Sequence, residues 1–211
     1  MISKTKILSI SVASTIFLLG CGKTDDTGSS TASVTSNGDS LLTTLAPSDW
    51  ADAASTFIDP EGNQIGYAVF KNAPRAGVLI RVDVAGLSEG WHGIHLHQVA
   101  DCSDGAEGFK ASGGHIDPDD RAHGLLNPDG PERADIPNIY AGPDGRATAE
   151  IFNTTIALYP SEAAAAEAGP YPLMDEDGFA MIIHTNADDH MTQPIGGAGA
   201  RVACAAIKPA N

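Results

Sequence analysis

A run of alternating side chains at residues 78–85 is the feature that most constrains the fold. Valine or isoleucine occupies every second position from Val78 to Val84, and Arg81 and Asp83 lie between them. A period of two places the apolar side chains on one face of an extended chain. The sequence therefore predicts a β-strand here, with one face turned toward a core.

Other short apolar segments bounded by turn residues extend this pattern. They are residues 54–58, 66–70, 90–97, 147–152, 155–159, 179–184 and 202–207. The 23 glycines and 13 prolines are consistent with many turns. Eight or so short strands predict an antiparallel sandwich or barrel. A run of four alanines also favours a helical turn at residues 161–168.

Two long segments, 98–145 and 185–200, interrupt the strands. The first contains His115, His123 and Asp135 but no regular periodicity. Loops of this length are uncommon unless they are functional or disordered. We therefore expect two long functional loops.

The N-terminus has the features of an export signal. Lys4 and Lys6 precede a mostly apolar run at residues 7–19, which is shorter than the roughly 20 residues that span a bilayer. The run ends in Leu-Leu-Gly-Cys21, which resembles the lipobox of bacterial lipoproteins. We expect a lipoprotein signal peptide at residues 1–20 and lipidation of Cys21; a plain secretory peptide cleaved nearby is the alternative.

Residues 21–48 are rich in serine, threonine and glycine, and predict a flexible tether. The folded domain is expected at residues 49–211. The formal net charge of −15 argues against nucleic acid as a partner and against an anionic membrane surface. Membrane attachment is therefore expected through the lipid alone.

The other two cysteines are Cys102 and Cys204. In an exported protein, a single remaining pair is most simply a disulfide, and two free thiols are the alternative.

The histidines suggest a metal site. His95 and His97 lie two residues apart on a predicted strand, so that both side chains point to the same face. All seven histidines lie between residues 92 and 190. A polar strand face would explain two histidines, but it explains the whole group poorly.

Together these segments resemble copper/zinc superoxide dismutase of the exported bacterial type, over residues 53–208. The motifs are residues 92–97 (HGIHLH), 101–105 (DCSDG), 113–115 (GGH), 123–124 (HG), 135–138 (DIPN), 184–189 (HTNADD) and 197–204 (GAGARVAC). The resemblance implies an all-β fold, an eight-stranded antiparallel Greek-key β-barrel or flattened sandwich. It also implies that four histidines bind copper: His95, His97, His115 and His184. His115 would bridge copper to zinc as an imidazolate.

The implied zinc ligands are His115, His123 and Asp135, together with a third histidine that this chain lacks. Glu132 stands three residues before the aspartate, where the family pattern has histidine. A carboxylate is an acceptable zinc ligand. We expect zinc binding to be retained but weakened, and an empty site is the alternative.

Four further residues complete the comparison. The resemblance implies that Asp188 links the copper ligand His95 to the zinc ligand His123, and that Arg201 attracts and orients superoxide. A solvated loop acid and a surface arginine are the respective alternatives. His92 is expected to have a packing and hydrogen-bonding role. His190 has no assigned counterpart and is expected at the surface.

The implied reaction is the dismutation of superoxide in the bacterial cell envelope, periplasmic or otherwise extracytoplasmic, by a monomer or homodimer. One alternative is a copper-binding or copper-storing envelope lipoprotein with the same fold and little dismutase activity. A purely structural lipoprotein would not need four copper ligands together with Arg201.

Overall fold

Short β-strands joined by turns make up almost all the regular structure. The computed structural model describes residues 50–161 and 169–209. Within these ranges the strands are β1 (Ala53–Ile58), β2 (Gln64–Asn72), β3 (Val78–Val84), β4 (Gly90–His92), β5 (Ile94–His97), β6 (Ile139–Ala141), β7 (Ala147–Asn153), β8 (Ile156–Ala157), β9 (Tyr171–Pro172), β10 (Phe179–His184) and β11 (Arg201–Ile207).

Seven of the strands form one antiparallel sheet in the order β5-β10-β11-β1-β2-β3-β7. The pairing of β1 with β11 joins the first and last strands of the described chain. Two small ribbons complete the structure: antiparallel β4-β6 and parallel β8-β9. The antiparallel pairing of every neighbouring pair of strands in the large sheet confirms the predicted antiparallel all-β class.

The larger of the two apolar clusters in the described residues requires the large sheet to curl. Ile94 and Leu96 belong to one edge strand, β5, and Ala147 and Ile151 belong to the other, β7. All four side chains lie in the same buried cluster. The opposite edges of the sheet therefore face a common interior, as in a flattened barrel. The alternating residues Val78, Ile80, Val82 and Val84 are buried in the same cluster, as their spacing predicts.

The predicted strand at residues 90–97 is divided at Gly93. The amide of Gly93 donates to the carbonyl of Asn186, and its carbonyl accepts from the amide of His184. A β-carbon at Gly93 would lie 2.9 Å from the β-carbon of Ala198. This close approach of two chain segments ends β4 and lets β5 pair with β10 instead.

The remaining sequence predictions have mixed outcomes. The sequence did not predict β6 or β9, which have three and two residues. Two short 3₁₀ turns, at Gly105–Glu107 and Lys110–Ser112, are the regular structure described within residues 98–138. The predicted signal peptide, the whole of the predicted tether, and most of the helical turn at 161–168 lie outside the described residues. No helix in the described part of the chain has the length and apolar character needed to cross a membrane.

Candidate metal centre

Three elements bring four histidines together. Strand β5 carries His95 and His97, and the antiparallel strand β10 ends at His184. The long loop returns to β5 through an isolated bridge between His97 and His115. The pairing of β5 with β10 and this bridge place residues up to 89 positions apart in sequence at one end of the sheet.

Each of these four imidazoles is held by one nitrogen. His97 Nδ1 donates to the carbonyl of Gly113 at 3.0 Å, and His184 Nδ1 donates to the carbonyl of Gly199 at 3.1 Å. The other two imidazoles contact carboxylates: His95 Nε2 lies 2.8 Å from Asp188 Oδ2, and His115 Nδ1 lies 2.5 Å from Glu132 Oε2.

The second nitrogen of each imidazole is buried and has no hydrogen-bond partner among the described residues. These atoms are His95 Nδ1, His97 Nε2, His115 Nε2 and His184 Nε2. A buried polar atom normally has a partner. Four unpartnered nitrogens in one cluster therefore fit a bound metal ion.

The spacing of the rings is compatible with shared coordination. Ligand atoms of His95, His115 and His184 lie within 4.8 Å of one another. His97 lies outside that tight group, but its ring centroid is 5.1 Å from that of His115. The structure thus gathers three of the predicted copper ligands closely and places the fourth beside them.

Burial favours the neutral form of three of these imidazoles, those of His95, His97 and His184. Burial lowers the pKa of His95, and it lowers the pKa of His97 well below the usual value, with the neighbouring charges of His115 and Arg201 adding to the effect. Burial and the neighbouring His95 lower the pKa of His184 to about 3. Neutral imidazole presents the lone pair that a metal ion requires.

A second group of possible ligands adjoins the first. It comprises His115, His123, Glu132 and Asp135, whose ligand atoms lie within 4.8 Å of one another. His123 Nδ1 is 2.7 Å from Asp135 Oδ1 and 3.3 Å from Glu132 Oε2. His115 belongs to both groups: its Nδ1 contacts Glu132, and its Nε2 is buried without a partner among the described residues.

The carboxylates make this second group favourable for a cation. Burial lowers the pKa of His123, but contacts with Asp135, Asp188 and Glu132 outweigh burial and raise the pKa to about 11. Burial raises the pKa of Glu132, but hydrogen bonds from His115 and His123 outweigh it and lower the pKa to about 2. The negative charge that stabilises a proton on His123 would also stabilise a metal ion bound at the position of that proton.

Asp188 contacts one histidine of each group. Its carboxylate lies 2.8 Å from His95 Nε2 and 3.1 Å from His123 Nε2. Burial raises its pKa, but hydrogen bonds from His123, His95 and the backbone amide of His190 hold the pKa well below the ordinary value. The ionised carboxylate therefore accepts from both imidazoles, which fixes the tautomer of each.

Arg201 lies next to the histidine cluster and is half-buried. Its guanidinium donates to the carbonyls of Phe109 and Gly113 and to Ser112 Oγ, at 2.7, 3.0 and 3.0 Å. Gly113 also accepts from His97. One carbonyl thus sets the position of the cation relative to a predicted copper ligand.

Cys102 and Cys204 form a disulfide, which confirms the prediction from the cysteine count. Cys204 lies in β11, and Cys102 packs beside Phe109 in a small apolar cluster. The bridge thereby fastens the loop that supplies the carbonyl groups around Arg201.

Comparison with known proteins identifies the family. The sequence model of copper/zinc superoxide dismutase matches residues 64–207. The chain belongs to the copper/zinc superoxide dismutase family.

Several relatives within this family are similar over most of the described residues. "Superoxide dismutase [Cu-Zn]" of Caulobacter vibrioides is 45% identical over 70% of this chain and 80% of the relative. "Superoxide dismutase [Cu-Zn] 2" of Aquifex aeolicus is 34% identical over 81% of this chain and 95% of the relative.

Solved structures of this superoxide dismutase family have the same fold. A double mutant of a superoxide dismutase-like protein from Bacillus subtilis gives a TM-score of 0.66 at 30% identity, covering 74% of this chain and 97% of that one. The Cu/Zn superoxide dismutase from Brucella abortus gives a TM-score of 0.55 at 26% identity, and the match covers 74% of this chain and 98% of that one.

The two histidines that were not predicted to bind a metal, His92 and His190, have different environments. His92 is buried, with Nδ1 2.7 Å from the carbonyl of His184 and Nε2 2.9 Å from that of Ser88, which agrees with the expected packing role. His190 is half-buried rather than at the surface, because Asn138 and Asp188 enclose its ring.

Several groups that support the ligands of this superoxide dismutase-like domain were not predicted from its sequence. They are Ser112, Asn138 and the carbonyl groups of Gly113 and Gly199. Backbone carbonyls have no sequence signal, and Asn138 carried one only as part of the DIPN motif.

Proposed function

We propose that this chain catalyses the dismutation of superoxide to oxygen and hydrogen peroxide at a copper site formed by His95, His97, His115 and His184. The observation that carries this proposal is the set of four buried imidazole nitrogens with no partner among the described residues. Imidazole nitrogen suits copper. Copper supplies the one-electron redox chemistry when it is bound.

The surrounding contacts orient these ligands. The carbonyls of Gly113 and Gly199 hold the Nδ1 protons of His97 and His184, which leaves Nε2 of each ring free. Asp188 holds the proton on Nε2 of His95, which leaves Nδ1 free. Each ring therefore has one defined tautomer before any metal binds.

We propose that His115 bridges the copper site to zinc. Its Nδ1 contacts Glu132, its Nε2 is unpartnered among the described residues, and the residue belongs to both groups of possible ligands. While copper does not occupy it, His115 Nε2 can hold a proton and donate it to superoxide, because that atom has no other partner among the described residues. Two superoxide anions and two protons then give one oxygen and one hydrogen peroxide.

Arg201 has the role of binding and orienting the substrate anion. Its guanidinium is held by three acceptors, so that it is preorganised beside the copper ligands. The net charge of −15 repels an anion at long range. A fixed local cation opposes that repulsion at the point of reaction.

The zinc site comprises His115, His123, Glu132 and Asp135 in this proposal. Glu132 Oε2 lies within 3.3 Å of both His115 Nδ1 and His123 Nδ1, where a single ion could contact all three. Two histidines and two carboxylates are acceptable ligands for zinc. The additional negative charge distinguishes this site from one with three histidines.

The protein is proposed to act in the bacterial cell envelope. A disulfide fits an extracytoplasmic location. The lipobox-like segment before Cys21 supports a lipid anchor followed by the tether and the domain from residue 49.

The test of the function is a stopped-flow superoxide assay on the copper- and zinc-loaded domain. We expect turnover well above that of equal concentrations of free copper, and loss of turnover in His184→Ala. A protein that binds copper but has no rate above the free-metal control would instead be a copper-binding or copper-storing lipoprotein.

A further inference from the structure

His190 belongs to neither group of metal ligands described above, yet it lies against the carboxylate that connects them. Its backbone amide donates to Asp188 Oδ1 at 2.6 Å, and its ring Nδ1 lies 3.3 Å from Asp188 Oδ2. We propose that His190 is a positioning residue, whose Nδ1–H fixes Asp188 and thereby the tautomers of His95 and His123. The inference rests on the proposed metal centre and extends it.

The orientation of the Asn138 amide determines which nitrogen of His190 carries the proton. Asn138 Oδ1 accepts from the backbone amide of Asp188 at 2.9 Å, and Asn138 Nδ2 donates to the carbonyl of Asp188 at 2.8 Å. These two hydrogen bonds allow one orientation of the amide. Asn138 Nδ2 also lies 3.2 Å from His190 Nε2. Since Nδ2 is a donor only, His190 Nε2 accepts.

A neutral imidazole that accepts at Nε2 carries its proton on Nδ1. In His190 that Nδ1 is buried and makes no hydrogen bond of good geometry with the described residues. Asp188 Oδ2, at 3.3 Å, is the carboxylate oxygen that also faces His95 and His123. His190 Nδ1 is thus a third imidazole nitrogen beside this one carboxylate, in a contact at 3.3 Å rather than in a hydrogen bond.

The backbone of His190 has an unusual conformation, which the surrounding contacts maintain. Its φ is +60°, a left-handed conformation that is unfavourable for most residues with a side chain. The carbonyl of His190 accepts from the amide of Leu126. A β-carbon at Gly124 would lie 2.1 Å from that carbonyl oxygen. The turn therefore packs directly on the segment that follows the zinc ligand His123, and a conformation of this cost is typical of functional sites.

The experiment compares three substitutions of His190 in the mature protein loaded with zinc and reduced copper, which are both diamagnetic. The amide nitrogen of His190→Asn occupies nearly the position of Nδ1, and asparagine tolerates the left-handed conformation. The amide of His190→Gln reaches the position of Nε2 instead. His190→Leu removes both donors. Met191→Ala, at an exposed neighbouring position, is the control.

The readouts are the hydrogen-exchange rates of the imidazole N–H groups of His95 and His123, measured by NMR, and zinc affinity measured by chelator competition. We expect His190→Gln and His190→Leu to accelerate exchange and to weaken zinc by about 10-fold, the lower end of the range for outer-sphere partners. His190→Asn and Met191→Ala should match the wild type.

The inference would be overturned if folded His190→Gln had the hydrogen-exchange rates and the zinc affinity of the wild type. An equal defect in His190→Asn and His190→Gln would overturn it as well, because the position of the donor would then be irrelevant. Neither readout uses superoxide. A wild-type protein without dismutase turnover would therefore disprove the proposed function while this comparison still decides the role of His190.

Discussion

At the scale of single residues, the centre depends on which atom each side chain leaves free. The four predicted copper ligands each use one nitrogen for a carbonyl or carboxylate and keep the other unpartnered among the described residues. A histidine without such a partner could rotate or change tautomer. Specific backbone carbonyls are therefore as necessary to the site as the imidazoles.

Reversal of the charge of Arg201 should separate catalysis from metal binding. In Arg201→Glu we expect the dismutation rate to fall by about 10- to 1,000-fold, the range by which local charge alters association rates. Copper affinity should change little, because every copper ligand remains. Raising the ionic strength should relieve part of the loss, since salt screens the new repulsion.

Arg75→Glu makes the same change in net charge at an exposed turn between β2 and β3 and serves as the control. Equal rates for Arg201→Glu and Arg75→Glu at low ionic strength would place Arg201 away from the substrate path.

Glu132 decides the composition of the zinc site. If its Oε2 binds zinc, Glu132→Ala should weaken zinc binding and Glu132→His should strengthen it. Metal analysis of the purified wild type and both variants measures this directly, with the exposed Glu107→Ala as the control. Equal zinc content in wild type and Glu132→Ala would remove Glu132 from the ligand set, without affecting the copper assignment.

At the scale of structural elements, one end of the curled sheet supports loops that have no core of their own. Strands β5 and β10 hold the histidines rigidly, while residues 98–138 contain two 3₁₀ turns as their described regular structure before β6. The disulfide, the hydrogen bonds of Arg201 and the ligand contacts add to the apolar packing of buried loop residues such as Phe109, Ile116 and Ile136.

Removal of the disulfide should destabilise the domain and loosen the loop. The two cysteines are 102 residues apart, and a closed loop of about 100 residues contributes at most about 4.7 kcal/mol in the chain-entropy model. We expect Cys102→Ala/Cys204→Ala to lower the denaturant midpoint and to reduce copper retention through the displaced loop. An unchanged midpoint, or two alkylatable thiols in the wild-type exported protein, would contradict this role.

Strands β2 and β3 carry a polar contact far from the metal centre. Tyr67 Oη donates to Asp83, which also binds the guanidinium of Arg146. Burial and the hydrogen bond to Asp83 raise the pKa of Tyr67 to about 12, above the usual value of about 10. The folded state therefore holds this proton more tightly than the unfolded state. Its contribution to stability is complete below pH of about 10 and is lost as the pH rises through the folded-state pKa.

In Tyr67→Phe we expect this loss of stability at alkaline pH to be smaller. In a titration followed by tyrosinate absorbance, the step at the highest pH should disappear. Tyr140→Phe, at an exposed position, should retain both features of the wild type. A wild-type titration in which every tyrosine ionises near the usual pKa would show that the contact with Asp83 has no such effect.

At the scale of the whole molecule, the proposed export and lipid attachment are separate from the fold. In Cys21→Ala we expect an uncleaved precursor or a soluble protein, because the acceptor of the lipid is absent. Membrane fractionation and the mass of the N-terminus measure this outcome, and dismutase activity of the domain should be unchanged. Partition into the membrane by a correctly processed Cys21→Ala protein would disprove the lipid anchor.

The sequence by itself determined the fold class and most of the candidate ligands. The alternation at residues 78–84 defines a strand because side chains point to opposite faces in turn, and this property is local. His95 and His97 share a face for the same reason. The family motifs then indicated His115, His123, Asp135 and His184, which the structure gathers at one end of the sheet.

Only the tertiary structure decided how the remote segments meet. Gly93 divides the histidine strand because residues 186 and 198 approach it closely, and no local propensity encodes that contact. The half-buried position of His190 likewise depends on Asn138, which is 52 residues away in the sequence. A sequence specifies which groups can donate, accept or bind, but the partner of each group is determined by strand pairing and loop packing over long separations.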